Sequence, residues 1–154
     1  MKSPVLFIAK NCSDHIHYYH GGKPFRYYLF DPSTGELSTY VLGPELHKGQ
    51  KLQVPVKGGT FKCGKIIDDE EMSDYEFSLI GEAVAPGFDF HDFTWVTKEM
   101  LLQASFQDET ARELLLGFVN PESTEIEREN KTVESSEEFY VEGATKDQRE
   151  AERA

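Results

Sequence analysis

The sequence predicts an all-β domain, a sandwich or barrel, followed by one or two short helices and an acidic tail. Three observations carry that prediction. Short runs of β-branched and aromatic residues recur along the first two thirds of the chain, clusters of Gly, Pro and Asp separate them, and helix formers at helical spacing are confined to residues 98–118. With 154 residues and 38% apolar content, the chain can bury roughly two thirds of its unfolded surface in one core but hardly supports two. The expected organisation is a β domain over residues 1–104, a short C-terminal helix over 105–118 and a largely disordered acidic tail over 119–154.

In chain order, residues 4–9 form an apolar run suited to a buried strand. His15–Tyr19 reads as a second strand, Gly21-Gly22 as a bend and Phe25–Phe30 as a third strand. Asp31-Pro32-Ser33-Thr34-Gly35 is a hairpin turn that returns the chain as Glu36–Leu42. Gly43-Pro44 and Lys48-Gly49 punctuate a loop, after which Lys51–Val56, Thr60–Ile67 and Tyr75–Ala85 read as strands, the last two separated by an acidic loop from Asp68 to Asp74. Pro86 fixes its own φ and Gly87 is free to take φ > 0, so the pair turns the chain. Phe88, Phe90 and Phe93 are then placed to anchor the segment beyond the turn, while Asp89 and Asp92 point elsewhere. Thr97 caps a helix over Lys98–Ala104, and Asp108–Phe118 carries leucines at helical spacing.

The net charge is −12, and residues 105–154 hold 14 acidic against 6 basic side chains. A body without a basic stripe and with an anionic extension repels a phosphate backbone, which excludes nucleic acid as the expected partner. No apolar run is long enough to cross a membrane, no apolar leader opens the chain, and Cys12 and Cys63 are too few for a disulfide framework. A reducing, cytosolic or nuclear setting is the expectation.

Chemistry-bearing residues concentrate early. His15 and His17 are two apart and share one face of a strand, with Ile16, Tyr18 and His20 on the other. Such a pair can begin a divalent metal site, which needs further ligands from His47, His91, Cys63 or a carboxylate, or it can form a polar pocket wall. Arg26 alternates with Tyr27 and shares its face with Tyr28 and Phe30, an arrangement suited to a carboxylate, phosphate or sugar hydroxyl. Asp89, His91 and Asp92 lie in a turn, where Asp commonly ties backbone N–H groups, and Cys63 lacks a nucleophile signature.

Ser13-Asp14-x-Ile16, Tyr19, Gly22-x-Pro24, Leu42-Gly43-Pro44-x-Leu46, Gln53-Val54-Pro55 and Ala85-Pro86-Gly87-Phe88-Asp89-Phe90-x-Asp92-Phe93 together resemble the cupin-5 family of the cupin superfamily, over about residues 4–104. The resemblance implies a double-stranded β-helix, or jelly roll, usually paired as a homodimer, with a small-molecule pocket inside the barrel. It also implies altered metal positions. Gly49 and Pro55 match the second half of the general cupin signature, but Phe61 stands where a His is expected. In the first half, Ala9, His15, His17 and Tyr18 stand where similar members carry His, Glu, Trp and His. No cofactor is assigned, and a divalent metal, where one is bound, would rest on His15 and His17. The resemblance implies a leading helix and one or more strands before the segment that begins here, so a barrel N-terminally truncated relative to the family is the expectation.

Three functions are consistent with this reading. The first is binding of a small polar, sugar-like or carboxylate-bearing ligand, with His15, His17, Arg26, Tyr28 and Gln53 lining the pocket. The second is an enzyme, either epimerase-like with His17 as base and Tyr28 as acid, or metal-dependent. The third is an interaction protein acting through dimerisation and the acidic tail.

Overall fold

The computed structural model describes residues 5–67 and 77–122. Eight strands, β1 (Val5–Asn11), β2 (Asp14–Gly22), β3 (Phe25–Asp31), β4 (Glu36–Leu42), β5 (Gln53–Val56), β6 (Phe61–Ile66), β7 (Ser78–Ala85) and β8 (Phe93–Trp95), precede two short helices, α1 (Lys98–Gln103) and α2 (Glu109–Leu116). The strands form a five-stranded sheet in the order β4-β3-β6-β1-β8 and a three-stranded sheet in the order β5-β2-β7. Every pairing between these strands is antiparallel, and the two sheets face each other as in a jelly roll.

Both faces of the larger sheet are covered, which explains why β3 reads as nearly continuous apolar sequence. One face of β3 contributes Phe25, Tyr27 and Leu29 to a core with Leu42, Val54, Val56 and Ile66, between the sheets. The other contributes Tyr28 and Phe30 to a second core with Ile8, Phe61, Cys63, Val96, Leu101, Leu115 and Phe118. The helices therefore close the outer face of the sheet. Sequence alternation along β3 sorts these residues correctly by face, but only the packing shows that the Tyr28 face belongs to the helices.

The turns arise from local chemistry. In the β3–β4 hairpin, Asp31 Oδ1 accepts from the Ser33 N–H at 2.8 Å, and Gly35 takes φ 75°, a conformation open to Gly and costly for residues with a Cβ. A Cβ there would also lie 2.6 Å from the Ser105 carbonyl oxygen. Asp14 Oδ1 accepts from Gly58 N–H at 2.7 Å, and the Ser13 hydroxyl donates to the Gly87 carbonyl at 3.3 Å. Two of the motifs that carry the family resemblance, Ser13-Asp14 and Pro86-Gly87, thus meet in space as a tie between chain corners.

The Thr97 cap forms as the sequence predicts, its hydroxyl accepting from Met100 N–H at 3.3 Å. The second helix starts one residue later than the expected Asp108, which caps it instead, its Oδ1 accepting from Thr110 N–H at 2.9 Å. Because Thr97 is buried, Thr97→Ala will lower unfolding stability by about 1 kcal/mol, measured as a shift in urea midpoint at unchanged m-value. A neutral result would mean that the tertiary packing of Leu101 alone sets the start of α1.

Three expectations require correction. The turn after β7 has a cis Ala85–Pro86 bond, and Gly87 is not among the glycines with positive φ. Phe88 and Phe90 are not anchors: they are 50% and 82% exposed and pack on one another edge to face, with Phe88 also against the half-buried Phe93. A three-residue 3-10 turn over Phe90–Asp92 holds them outward, because Asp89 caps it through the His91 N–H. Finally, regular β5 begins at Gln53, with Lys51 making only an isolated bridge to Leu42. The acidic loop Asp68–Asp74, the first residues of the expected strand from Tyr75, and all but residues 119–122 of the tail lie outside the described residues. Among the described residues, no helix is long and apolar enough to cross a membrane.

Candidate functional site

Between the sheets, β2 turns His15 and His17 inward, where they are 2% and 3% exposed. Antiparallel register brings Glu82 of β7 opposite His17. On the facing sheet, the inward positions of β6 and β3 supply Lys62 and Tyr27. His17, Tyr27, Lys62 and Glu82 form one connected network. Tyr27 Oη lies 3.2 Å from His17 Nδ1, Lys62 Nζ lies 3.3 Å from His17 Nε2, and Lys62 donates to Glu82 Oε1 at 2.7 Å.

Donor and acceptor rules fix the state of this network. An ammonium can only donate, so His17 Nε2 must accept from Lys62 and carry no proton. Burial and the nearby Lys62 charge lower the His17 pKa to about 4, so at neutral pH the ring is uncharged and its one proton sits on Nδ1. That Nδ1–H donates to the Tyr27 oxygen. The Tyr27 hydroxyl proton is thereby left to donate elsewhere, and burial followed by the Glu82 charge raises its pKa, keeping the phenol protonated. For Glu82, burial acts to raise the pKa, but the Lys62 hydrogen bond and charge, with smaller contributions from both histidines, outweigh it and hold the carboxyl below its ordinary range.

His15 differs from its neighbour. Its side chain is fully buried, its Nδ1 is 3.6 Å from Glu82 Oε1, and neither ring nitrogen has a hydrogen-bond partner. Burial, then Lys62, lowers its pKa as well. An unpartnered buried imidazole costs free energy that the fold must recover elsewhere.

The network forms the polar part of a cavity of about 450 Å³, lined by His17, Tyr27, Lys62, Glu82 and Ser78 together with Val5, Leu6, Phe7, Ala9, Phe25, Ile66, Ile80, Phe93 and Trp95. The Ser78 hydroxyl is also buried without a partner. Apart from these polar groups the walls are aliphatic and aromatic, the composition typical of a small-molecule site.

Of the residues singled out from sequence, the structure brings His15 and His17 together and only His17 onto the cavity. Tyr28 packs against Phe118, with ring centroids 5.4 Å apart, on the helix side of the sheet. Arg26 shares that opposite face and is half-buried, while Gln53 is exposed. None of these three lines the cavity, because inward and outward positions alternate strictly on β3 and Gln53 begins β5 on an outward one. The tyrosine beside His17 is Tyr27. Lys62, Glu82 and Tyr27 were missed, although a lone Lys inside the run Phe61-Lys62-Cys63 and a lone Glu inside Ile80-Gly81-Glu82-Ala83-Val84 were signals. Asp89 and His91 are an exposed local pair, Nδ1 to Oδ1 2.7 Å, and Cys63 is a buried core thiol whose pKa burial pushes up.

Cupins often carry a divalent metal within the barrel, and His15, His17 and Glu82 are the donors here that could serve one. They converge, but the Lys62 ammonium is bonded to two of the three, so a cation already stands among them. Among the described residues, no group of three or more His, Cys, Asp or Glu side chains is arranged to hold a metal ion. The residues do not fit a resident metal.

Comparison with known proteins agrees with the fold. The chain is 37% identical over 112 residues to the uncharacterized protein YML079W of Saccharomyces cerevisiae, a match covering 73% of this chain and 54% of the yeast protein. It thus spans about half the length of that relative. A crystal structure of protein SO0799 from Shewanella oneidensis superposes with a TM-score of 0.62 at 29% identity, covering 76% of this chain and 68% of the other. A hypothetical protein from Leishmania major superposes with a TM-score of 0.61 at 26% identity, covering 70% and 66%. The profile of the family described as "Cupin superfamily (DUF985)" matches residues 2–96, and the chain whose strands close around the His17 cavity belongs to that family, cupin-5.

Proposed function

We propose that the barrel binds a small molecule with a largely apolar body and an acceptor oxygen, a carbonyl or carboxylate, at one end. The observation that carries this reading is the Tyr27–His17–Lys62–Glu82 network on the wall of an otherwise apolar cavity. With the His17 proton on Nδ1, Tyr27 has an O–H to donate. Lys62 has three N–H donors and two partners in the network, which leaves one for a ligand. Two such donors on lining residues suit one acceptor oxygen, while the aromatic and aliphatic walls take the rest of the molecule. A polyhydroxylated sugar would leave several hydroxyls facing hydrocarbon without partners, which is costly. This favours the carboxylate-bearing member of the expected ligand class over the sugar-like one.

A second reading, metal-free proton transfer of the epimerase kind, is favoured by the His17–Tyr27 contact. His17 is a weak base at neutral pH, however, since burial and Lys62 hold its pKa at about 4. Binding is therefore the first reading.

Ligand-observed NMR with a fragment library tests it. Aryl and alkyl carboxylates and ketones should compete for one site on the wild-type chain, and polyols should not. Tyr27→Phe will weaken the best of them about 10-fold, the equivalent of about 1.4 kcal/mol, with the urea midpoint used to check folding. A library in which polyols prevail, or hits indifferent to both Tyr27→Phe and Lys62→Met, would refute the proposal.

A further inference from the structure

We infer that Lys62 is the resident cation of this barrel, holding with its ammonium the place a divalent metal would otherwise take among His15, His17 and Glu82. This role is the same whichever ligand the cavity accepts.

Three observations support it. First, the donor atoms converge on a single point of the carboxylate: His15 Nδ1 and His17 Nε2 each lie 3.6 Å from Glu82 Oε1. Ligand atoms on a tetrahedral Zn²⁺ with bonds of 2.0–2.1 Å stand about 3.3 Å from one another, so both distances are within a small relaxation of a metal-ligand set. Second, Lys62 Nζ is within hydrogen-bond distance of two of these three atoms, 2.7 Å from Glu82 Oε1 and 3.3 Å from His17 Nε2. It meets the same lone pairs a metal would. Third, His15 is fully buried yet has no hydrogen-bond partner at either ring nitrogen, so the third member of the set offers a lone pair that the ammonium does not use.

The replacement is electrostatically balanced. Two uncharged imidazoles, one carboxylate and one ammonium sum to zero, whereas a divalent ion added beside the ammonium would meet direct repulsion among side chains that, Glu82 apart, are at most 10% exposed. Lys62 is anchored for this role from the opposite sheet. Its backbone sits in the middle of β6, paired with Leu29 on one side and Ala9 on the other, and its side chain is only 10% exposed. The consequence is that metal chemistry is closed to the wild-type chain, and that removing the ammonium while retaining the hydrocarbon stem opens it.

The test is a titration of the full-length chain with Co²⁺, read by its visible absorption, and with Zn²⁺ by calorimetry, at neutral pH. Wild type will show no site sensitive to His17→Ala. Lys62→Met will bind one ion per chain at least 100-fold more tightly, and the added affinity will vanish when Glu82→Gln is combined with it. Circular dichroism establishes that the variant folds. A folded Lys62→Met chain with no greater affinity than wild type overturns the inference, as does a stoichiometric wild-type site lost on His17→Ala. Should Lys62→Met fail to fold, the wild-type imidazole ¹⁵N resonances decide. They will show His17 protonated on Nδ1 and both rings unmoved by Zn²⁺, and a protonated Nε2 or Zn²⁺-dependent shifts of His15 and His17 overturn it.

Discussion

Lowering the pH from 7.5 to 5 will remove about 2 kcal/mol of folding stability through His17 alone. In the unfolded chain this imidazole titrates near its ordinary value of 6.5, whereas in the folded chain its pKa is about 4, because burial disfavours the charged ring and Lys62 repels it. Between those values the unfolded chain takes up a proton that the folded chain refuses. Protonation therefore favours unfolding as the pH falls, and the stability present above pH 6.5 is lost progressively down to about pH 4. The His15 shift has the same direction and adds to the loss. Glu82 also has a lowered pKa, but its contribution fades only when the pH falls through the carboxylate range, so the interval above pH 5 isolates the histidines. Urea denaturation at half-unit steps checks this, with His17→Gln alongside. The variant will show a much flatter profile over that interval, and equal slopes in the two proteins would show that some other group carries the dependence.

Truncating Phe30 to alanine will destabilise the fold by about 3–5 kcal/mol. Phe30 is completely buried, stacks on Phe106 with ring centroids 4.2 Å apart and meets Phe61 at 5.8 Å. It sits where β3 packs against the helical layer, so the cavity left behind would lie in a close-packed interior that can relax only in part. Phe90→Ala provides the contrast. At 82% exposure, its loss should change stability by no more than about 0.5 kcal/mol. Comparable losses at the two positions would mean that the exposed aromatic turn is buried in solution.

That contrast bears on how far the sequence can be read. The run Pro86–Phe93 is the most distinctive stretch of the chain, and it is one of the motifs that together carry the family resemblance. Yet distinctiveness marks a turn here rather than a site: Asp89 caps its own 3-10 turn, and Phe88 and Phe90 face outward. Along β3, alternation separated Tyr27 from Tyr28 correctly but gave no means of choosing the face that meets β2, since both faces are apolar and both are buried. The expected ligand wall of His15, His17, Arg26, Tyr28 and Gln53 therefore includes two β3 residues that lie on the face opposite the cavity, next to Tyr27, which lines it. His15 and His17 were legible because a His-x-His pair on a strand has few structural reasons to exist. Lys62 and Glu82 were not, since each is a single charge whose meaning depends on a partner 20 positions away.

Local sequence therefore settled most of the strands, the β3–β4 turn and the family, though not β8 or the backbone of the Pro86 turn, because those features depend on side-chain period and backbone chemistry within a few residues. The identity of the site was decided only when two sheets closed face to face. A lysine inside a strand is an anomaly until the facing sheet, whose antiparallel register sets Glu82 beside His17, brings that carboxylate and imidazole within hydrogen-bond reach of it, and that packing is set by contacts between distant parts of the chain that no single segment contains.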